Sequence, residues 1–431
     1  MFGPEVSCIV KHLVIADDLT GAFDTAIQYT KKNIEVSVSI YPDIDKFCAQ
    51  DSTEVLVADT ESRHISPSEA AERVKRVVRK GLRAGVGSIY KKTDSVLRGN
   101  IGSELAAVME VSKKNSMAFI PAYPAANRTT QRGVHFVNGV PLHRTGLAND
   151  PINPIKTSNV AEIIGQSAGL EVRVVPAEYK GDLTGKGNGV VYVFDACSDE
   201  DMMRIAQHLY KRKALGISAG CAGFSGILAD VLEFEKNKNQ TEKLVKGNML
   251  IVCGSVNEVS INQVSFAQKC GFTAVTLSAE QKTDETYYES ESGRRFIDGL
   301  AAALESNGRL IVCTTDPLRG KESFLVNDEQ NEMPFRISNT VSVLVKQVMK
   351  RTRVGTLMIF GGETAVKVLR RLECTVLKIV DEVGLGTVLS VMDCKQGKCN
   401  LITKSGGFGK RSVIVDVNDY IERHIEPRED T

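Results

Sequence analysis

Short apolar runs alternate with longer stretches of helical spacing along the whole chain, and this alternation constrains the fold more than any other feature. The runs are rich in Val and Ile. Strands that alternate with helices in this way usually lie parallel in one sheet, with helices on both faces. The sequence predicts strands at His12–Ala16, Val55–Ala58, Ser88–Lys91, Met117–Pro121, Val190–Phe194, Met249–Cys253, Leu310–Cys313, Thr356–Phe360 and Asn400–Thr403.

Amphipathic stretches between these runs predict helices, among them Pro67–Ala84, Asn257–Cys270 and Ser338–Arg351. The second of them is followed directly by Gly271. Glycine adopts the left-handed backbone conformation that commonly ends a helix. The chain is therefore an α/β protein in which each strand is followed by a turn and then a helix.

The chain has 431 residues, which is too long for one ordinary hydrophobic core and favours two domains. Residues 236–246 are polar, charged and rich in Asn and Lys, as in a linker. We therefore predict one domain at residues 1–235 and another at residues 247–431. Each is expected to contain a mainly parallel sheet flanked by helices.

Composition excludes several classes of partner. Lys and Arg number 54 against 53 Asp and Glu, so the formal net charge of +1 gives no sign of a nucleic-acid partner. No apolar run is long enough to span a membrane, and the N-terminus lacks the features of a signal peptide, so we expect a cytoplasmic protein. The ten cysteines are expected to be buried free thiols. Cys394 and Cys399 lie close together, but no second pair or histidine completes a zinc site.

Charged and hydroxyl side chains follow the predicted strands of the first half. Ligands of open α/β sheets bind beyond the carboxyl ends of the strands. Cations there could hold a small acid, and carboxylates could accept hydrogen bonds from its hydroxyl groups. The side chains concerned are Asp17, Asp18, Arg63, Lys92, Thr93, Asp94, Ser95 and Arg98.

Glycines follow the strands of the second half instead. Gly254-Ser255, Gly361-Gly362 and Gly406-Gly407 each come directly or shortly after a predicted strand. Glycine lets the backbone approach a phosphate closely, and the free N–H groups at a helix start attract anions. The second half therefore suits a nucleotide, although neither a P-loop nor a dinucleotide fingerprint is present.

Structural roles remain open for the same residues. Asp17 and Asp18 could simply cap a helix. Lys92, Asp94 and Arg98 could form surface ion pairs, and the glycine pairs could be tight turns or flexible loops. Two histidines in the first half, His135 and His143, are more typical of loop or core histidines than of catalytic bases.

Taken in order, these segments resemble the signature motifs of the four-carbon acid sugar kinase family. The series covers nearly the whole chain, so it is more specific than any one motif. It consists of Ile15–Ala22 with Asp24, Lys92–Asn100, Pro121–Pro124, Arg128–Thr130, Gly133–His135, Asn138–Leu142, Asp150–Pro154, Cys253–Ser255, Gly361–Ala365 and Lys404–Gly409.

The resemblance implies a substrate-binding N-terminal domain, an ATP-binding C-terminal domain and an active site in the cleft between them. It implies that ATP, with Mg²⁺, phosphorylates the terminal hydroxyl of a four-carbon acid sugar such as D-threonate or D-erythronate. Asp17, Arg63 and residues 92–95 would then hold the substrate, together with Arg98. The residues that would hold ATP are Ser255, Gly361, Gly362, Glu363, Thr364, Gly406 and Gly407.

Phosphoryl transfer also requires an acceptor for the proton of the attacking hydroxyl, and Asp18 and Asp94 are the two candidates. The metal ligands and the choice among four-carbon acids remain open. A homodimer is a base-rate expectation. Two other classes remain: a non-catalytic sugar-acid sensor and a nicotinamide-dependent hydroxy-acid dehydrogenase. The missing dinucleotide fingerprint counts against the second of these.

Overall fold

The computed structural model describes residues 10–40, 53–150, 153–165, 169–185, 189–236, 242–254, 257–315, 333–404 and 407–425. The chain divides into two compact units, Met1–Asn239 and Gln240–Thr431. The predicted linker, residues 236–246, spans this division, and its residues 237–241 lie outside the described ranges. No helix in the described ranges is both long enough and apolar enough to cross a membrane.

The first unit is built around a sheet of parallel strands in the order β2-β3-β1-β4-β11-β5-β10-β9. A small antiparallel sheet, β6-β7-β8, is separate from it. The strands are β1 His12–Ala16, β2 Val36–Ser39, β3 Val55–Asp59, β4 Ser88–Lys92, β5 Ser116–Ile120, β6 Arg128–Gln131, β7 Val134–Val137, β8 Val140–Pro141, β9 Glu171–Val175, β10 Val190–Phe194 and β11 Ile217–Gly220. The helices are α1 Leu19–Thr30, α2 Pro67–Arg83, α3 Ile101–Ser112, α4 Val160–Gly165, α5 Asp199–Lys211 and α6 Ala222–Val231.

The second unit has the strand order β13-β14-β12-β15-β18-β17-β16. The first five strands are parallel, and β17 is antiparallel to both of its neighbours. The strands are β12 Asn248–Cys253, β13 Thr273–Thr276, β14 Arg309–Cys313, β15 Val354–Phe360, β16 Val376–Gly384, β17 Thr387–Cys394 and β18 Gly397–Lys404. The helices are α7 Glu258–Lys269, α8 Ala279–Thr283, α9 Glu291–Asn307, α10 Met333–Met349, α11 Gly362–Arg371 and α12 Val413–His424.

These elements confirm the α/β prediction, and every strand predicted from sequence is present with bounds shifted by at most a few residues. The helix predicted at Asn257–Cys270 is α7, with Asn257 as its N-cap and Gly271 at φ 90° just beyond its end. The central strands of both sheets are almost entirely buried. Such strands form continuous apolar runs because helices cover both of their faces.

The cysteines only partly follow the expectation of buried thiols. Cys221, Cys253, Cys313, Cys374 and Cys399 are buried, but Cys197 and Cys270 are exposed. The two exposed residues lie at the edges of helices α5 and α7. None of the eight cysteines within the described ranges forms a disulfide, and no metal-binding cluster of three or more His, Cys, Asp or Glu occurs there.

Candidate functional site

Three neighbouring strands bring the candidate substrate residues together. β3, β1 and β4 are adjacent and parallel, with Ala16 opposite Asp59 and Ile15 opposite Lys91. Their carboxyl ends therefore meet at one edge of the sheet. The turn after β3 is fixed to the end of β1, because Ser62 N–H donates to the Asp17 carbonyl over 2.9 Å. This arrangement places Arg63 beside the two aspartates that follow β1.

Arg63 joins both aspartates. Its Nε donates to Asp17 Oδ2 over 2.7 Å, and its two terminal nitrogens donate to the two carboxylate oxygens of Asp18, each over 2.7 Å. Asp18 is also the N-cap of α1, where Oδ1 accepts the Gly21 N–H over 2.9 Å. The capping role and the ion-pair role are thus both present. Because Arg63 is itself buried, a substrate carboxylate would have to compete with two aspartates for its donors.

A second ion-pair set lies beside the first. Arg98 Nε donates to Asp94 Oδ2 over 2.6 Å, and Arg98 Nη1 donates to Asp150 Oδ2 over 2.9 Å. Arg63 Nη2 lies 4.0 Å from Asp94 Oδ1, which links the two sets. Lys92 and Asp94 are buried, so the surface ion-pair alternative is wrong for these two residues.

The neighbouring cations keep the aspartates ionised. Burial alone would raise the pKa of Asp17, but Arg63, Lys91 and Lys92 together hold it below its usual value. Burial likewise opposes ionisation of Asp94, and Arg63 and Arg98 outweigh that effect and lower its pKa. Ionised carboxylates accept hydrogen bonds, so this cluster suits a ligand that presents hydroxyl groups.

Lys92 ends β4 and is only 3% exposed. Its charge helps to lower the pKa of both Asp17 and Asp94, which places the ammonium group among these carboxylates. A Cβ at Gly21 would lie 2.7 Å from Lys92 Nζ and 2.6 Å from Asp18 Oδ1, so a larger residue there would displace the ends of these two side chains. Asp17 Oδ1 is buried and accepts no hydrogen bond from any described residue. A polar ligand could accept a hydrogen bond from the Lys92 ammonium and donate one to Asp17 Oδ1.

A fully buried ion pair lies beneath this cluster. Lys91 Nζ is 3.1 Å from Glu104 Oε2, and it also donates to the carbonyls of Ile15 and Lys92 over 3.2 and 2.7 Å. Glu104 accepts a hydrogen bond from Ser62. The pair therefore connects the ends of β1 and β4 to the turn after β3, and it fixes the backbone that carries the candidate site.

His135 holds the loop that carries Asp94 and Ser95. The side chain is buried, Nε2 lies 3.0 Å from the Ser95 carbonyl, and Nδ1 lies 3.1 Å from Thr130 Oγ1. Burial lowers the pKa of His135 to about 4, so the ring is neutral at neutral pH. The Ser95 carbonyl can only accept, so Nε2 carries the proton and Nδ1 accepts from the threonine hydroxyl. His135 is thus a positioning residue.

In the second unit, Gly361 forms the turn between β15 and α11. It has φ 101°, and its N–H donates to the Lys404 carbonyl over 3.0 Å, which joins the ends of β15 and β18. Gly362 begins α11, Glu363 is exposed in the first turn, and Thr364 is buried. The predicted ATP residues Ser255 and Gly406 lie outside the described ranges.

Sequence reasoning did not single out Lys404 as a site residue. It ends β18, is 1% exposed, and its ammonium lies 4.7 Å from the centre of the Phe360 ring. Burial lowers its pKa to about 8. Lys404 follows an apolar run and precedes a glycine-rich stretch. This position could have predicted a site residue, because the other predicted site residues follow strands in the same way.

Comparison with known protein families matches each unit separately. Residues 12–231 match a model described as a sugar-binding N-terminal domain, and residues 250–414 match a nucleotide-binding C-terminal domain. The fold and these two matches thus define a two-domain α/β protein that matches one family model of each kind. The chain belongs to the four-carbon acid sugar kinase family.

Relatives with curated names span nearly the whole chain. A D-threonate kinase of Salmonella typhimurium is 31% identical, covering 96% of this chain and 99% of the relative. A D-threonate kinase of Bordetella bronchiseptica is 26% identical, with coverage of 93% and 95%. A D-erythronate kinase of Heliobacterium modesticaldum is 25% identical, with coverage of 95% and 96%.

Solved structures share the fold. One from Salmonella typhimurium has a TM-score of 0.80 at 20% identity, covering 96% of this chain and all of that one. A Haemophilus influenzae protein has a TM-score of 0.72 at 21% identity, with the same coverage.

Proposed function

We propose that this chain transfers the γ-phosphoryl group of ATP to the terminal hydroxyl of a four-carbon acid sugar, with D-threonate as the first candidate and D-erythronate as the second. The names of the similar proteins support the substrate class. The observation that carries the proposal is the buried cluster of ionised aspartates around Lys92.

The cluster matches a sugar acid group by group. A single substrate carboxylate needs a cation that is not already committed to a bidentate pair, and Lys92 meets this condition better than Arg63 or Arg98. The hydroxyl groups of the substrate need acceptors, and Asp17 Oδ1 is a buried acceptor without a donor among the described residues. A site lined by buried charged and polar groups binds weakly any ligand that leaves those groups unpaired.

Asp18 and Asp94 are the proposed acceptors for the proton of the attacking hydroxyl. Each also accepts a hydrogen bond from an arginine, so each carboxylate is held in place. In a loose phosphoryl-transfer transition state the nucleophile needs orientation more than strong activation. A carboxylate held in place by an arginine can supply that orientation.

We propose that Gly361 to Thr364 and Gly407 contact the nucleotide, together with Ser255 and Gly406. Magnesium would enter with ATP, since this ion is usually held by phosphates and one or two carboxylates. Glu363 is the carboxylate of this predicted set, and its place in the first turn of α11 suits it for that role. The ion would neutralise charge on the phosphates.

The proposal is tested by ADP release with ATP, Mg²⁺ and a panel of D-threonate, D-erythronate, their 3-oxo forms and a five-carbon acid. We expect turnover with a four-carbon acid and much less with the longer one. Binding of an acid without ADP release would favour the sensor alternative instead. The dehydrogenase alternative has no support from the named relatives.

A further inference from the structure

Gln263 is a fully buried polar residue of α7 that no motif includes. Its Nε2 donates to three consecutive backbone carbonyls, those of Phe408, Gly409 and Lys410, over 3.1, 3.1 and 3.0 Å. These residues follow β18 in the glycine-rich segment that was predicted to bind ATP. One side-chain amide thus organises a loop about 145 residues away in the sequence.

The chemistry of the contacts fixes the orientation of the amide. If the side chain were turned over, Oε1 would face three carbonyl oxygens, and four acceptors would meet without a donor. In the observed orientation Oε1 is buried and has no hydrogen-bond partner among the described residues. A buried acceptor without a donor destabilises the folded protein. An apolar side chain would avoid that cost, so the loop contacts are the evident reason for a glutamine at this position.

The three carbonyls determine where the neighbouring N–H groups point. In a trans peptide the N–H of one residue points opposite to the carbonyl of the residue before it. The N–H groups of Gly409, Lys410 and Arg411 therefore point away from Gln263. Within the described ranges none of these three groups donates a hydrogen bond. They form a row of outward-facing donors.

The surroundings of this row are positively charged. Residues 404–415 include Lys404, Lys410 and Arg411 and no acidic residue. A Cβ at Gly409 would lie 3.5 Å from Lys404 Cε, so the buried lysine is adjacent to the loop. Donors that spread outward suit an extended polyphosphate, whose oxygens are spread as well, better than one small anion.

We propose that Gln263 is a positioning residue for the nucleotide: it turns three carbonyls inward so that the N–H groups of Gly409, Lys410 and Arg411 contact the polyphosphate. The inference rests on the proposed ATP-dependent function and adds to it a residue outside the glycine motifs. Another contact of the loop supports this geometry, because the Val413 N–H also donates to the Lys410 carbonyl, over 3.1 Å, as α12 begins.

The test is Gln263→Glu, which keeps the shape of the side chain and places a carboxylate against three carbonyl oxygens. We expect the Kd for Mg-ATP, measured by calorimetry, to rise at least tenfold at pH 8. The Kd for D-threonate should stay unchanged, which also shows that the first unit is folded. The matched control is Gln268→Glu, the same change at an exposed position of the same helix, and it should bind ATP like the wild type.

Lowering the pH provides a readout that general damage to the fold would not reproduce. A buried glutamate among carbonyl oxygens has a raised pKa, and once protonated it can donate one hydrogen bond to the loop. The ATP affinity of Gln263→Glu should therefore recover toward the wild-type value between pH 8 and pH 6, whereas the ratio of Gln268→Glu to wild type should stay constant.

Gly409→Ala is a second variant that disturbs the same loop, and it does so without introducing a buried charge. Gly409 has φ 88°, and a Cβ there would lie 3.3 Å from Gln263 Nε2. We expect a similar loss of ATP affinity, and this variant carries the test if Gln263→Glu does not fold. ATP affinity within twofold of wild type in a folded Gln263→Glu or Gly409→Ala protein would overturn the inference alone. A wild-type protein that binds no ATP would overturn the proposed function together with it.

Discussion

Among the residues of the first unit, Lys92 indicates most about how the substrate binds. It is a buried cation surrounded by carboxylates that are already paired with arginines. A buried charge is costly unless a partner of opposite sign satisfies it. Here the partner we propose is the substrate carboxylate, so the lysine should contribute mainly to binding of the acid and little to binding of ATP.

Lys92→Met removes the charge and keeps most of the apolar stem. A charge-assisted hydrogen bond is worth about 1.5–3 kcal/mol, so we expect the KM for D-threonate to rise by at least tenfold. The Kd for ATP should not change. Lys114→Met is the control, because Lys114 is exposed at the end of α3. An unchanged KM in a folded Lys92→Met protein would contradict the assignment.

The two candidate proton acceptors are distinguished by Asp18→Asn and Asp94→Asn. Loss of a positioned carboxylate that contacts the nucleophile typically lowers the rate by about 10²–10⁴-fold. We expect a loss of that size in kcat for at least one variant, with ATP binding retained in both. Asp230→Asn, a surface position on α6, serves as the control. Wild-type kcat in both site variants would rule out these roles.

The convergence of Asp17, Arg63 and Lys92 could be predicted from the sequence, because side chains that follow neighbouring parallel strands must lie near one another. The sequence could not show that Asp17 and Asp18 both accept hydrogen bonds from Arg63, because this pairing depends on the turn at residues 60–63. Nor could it show the role of Gln263. Its three hydrogen bonds go to a loop that is remote in sequence, and its own helix gives no signal of them.

At the scale of single elements, the predicted strands were those with apolar runs. β1, β10 and β15 are fully buried and read as continuous apolar runs. Three other largely buried strands, β2, β11 and β17, were missed because serine interrupts their apolar residues. β16 was not predicted, because it is only partly buried and carries Lys378, Asp381 and Glu382 among its apolar residues. The small strands β6 to β8 were missed because they are short and partly polar.

The Lys91–Glu104 pair joins α3 to the ends of β1 and β4, so its loss should affect stability through these elements. Removing one partner of a buried pair leaves an uncompensated charge and costs about 3–5 kcal/mol. We expect Lys91→Met to lower the free energy of unfolding by about that amount. The double variant Lys91→Met with Glu104→Leu should lose less than Lys91→Met alone, measured by urea unfolding. Additive losses would show that the two charges do not depend on each other.

β1 also carries His12, buried beside the rings of Tyr29 and Phe234. Burial lowers its pKa to about 3, whereas an unfolded histidine titrates near 6.5. The unfolded chain therefore takes up a proton that folded His12 does not. The stability due to neutral His12 is complete above about pH 6.5 and declines as the pH falls toward 3.

His12→Phe should weaken this dependence on pH. Between pH 7 and pH 5 the wild type should lose about 2 kcal/mol more of its free energy of unfolding than the variant does. His135, which also has a lowered pKa, remains in the variant, so part of the acid sensitivity should persist. Urea unfolding at the two pH values provides the measurement. Identical losses in both proteins would show that His12 becomes protonated without unfolding.

At the scale of the whole molecule, the two units carry different chemistry on similar sheets. The first presents ionised side chains at the ends of its strands, and the second presents glycine turns, a buried lysine and backbone donors. Each has a hydrophobic core of its own. This separation explains why each unit matches its own family model, and why variants in one unit should leave ligand binding by the other intact.

The most direct test of the central claim is ³¹P NMR of the product formed from ATP, Mg²⁺, D-threonate and the wild-type protein. The account predicts ADP and a new phosphomonoester whose phosphorus couples to the two protons of the terminal carbon, giving a triplet. The Lys92→Met protein should form this phosphomonoester much more slowly than the wild type at a low D-threonate concentration. A doublet would place the phosphate on a secondary hydroxyl. Unchanged ATP in the presence of bound D-threonate and D-erythronate would contradict the kinase account.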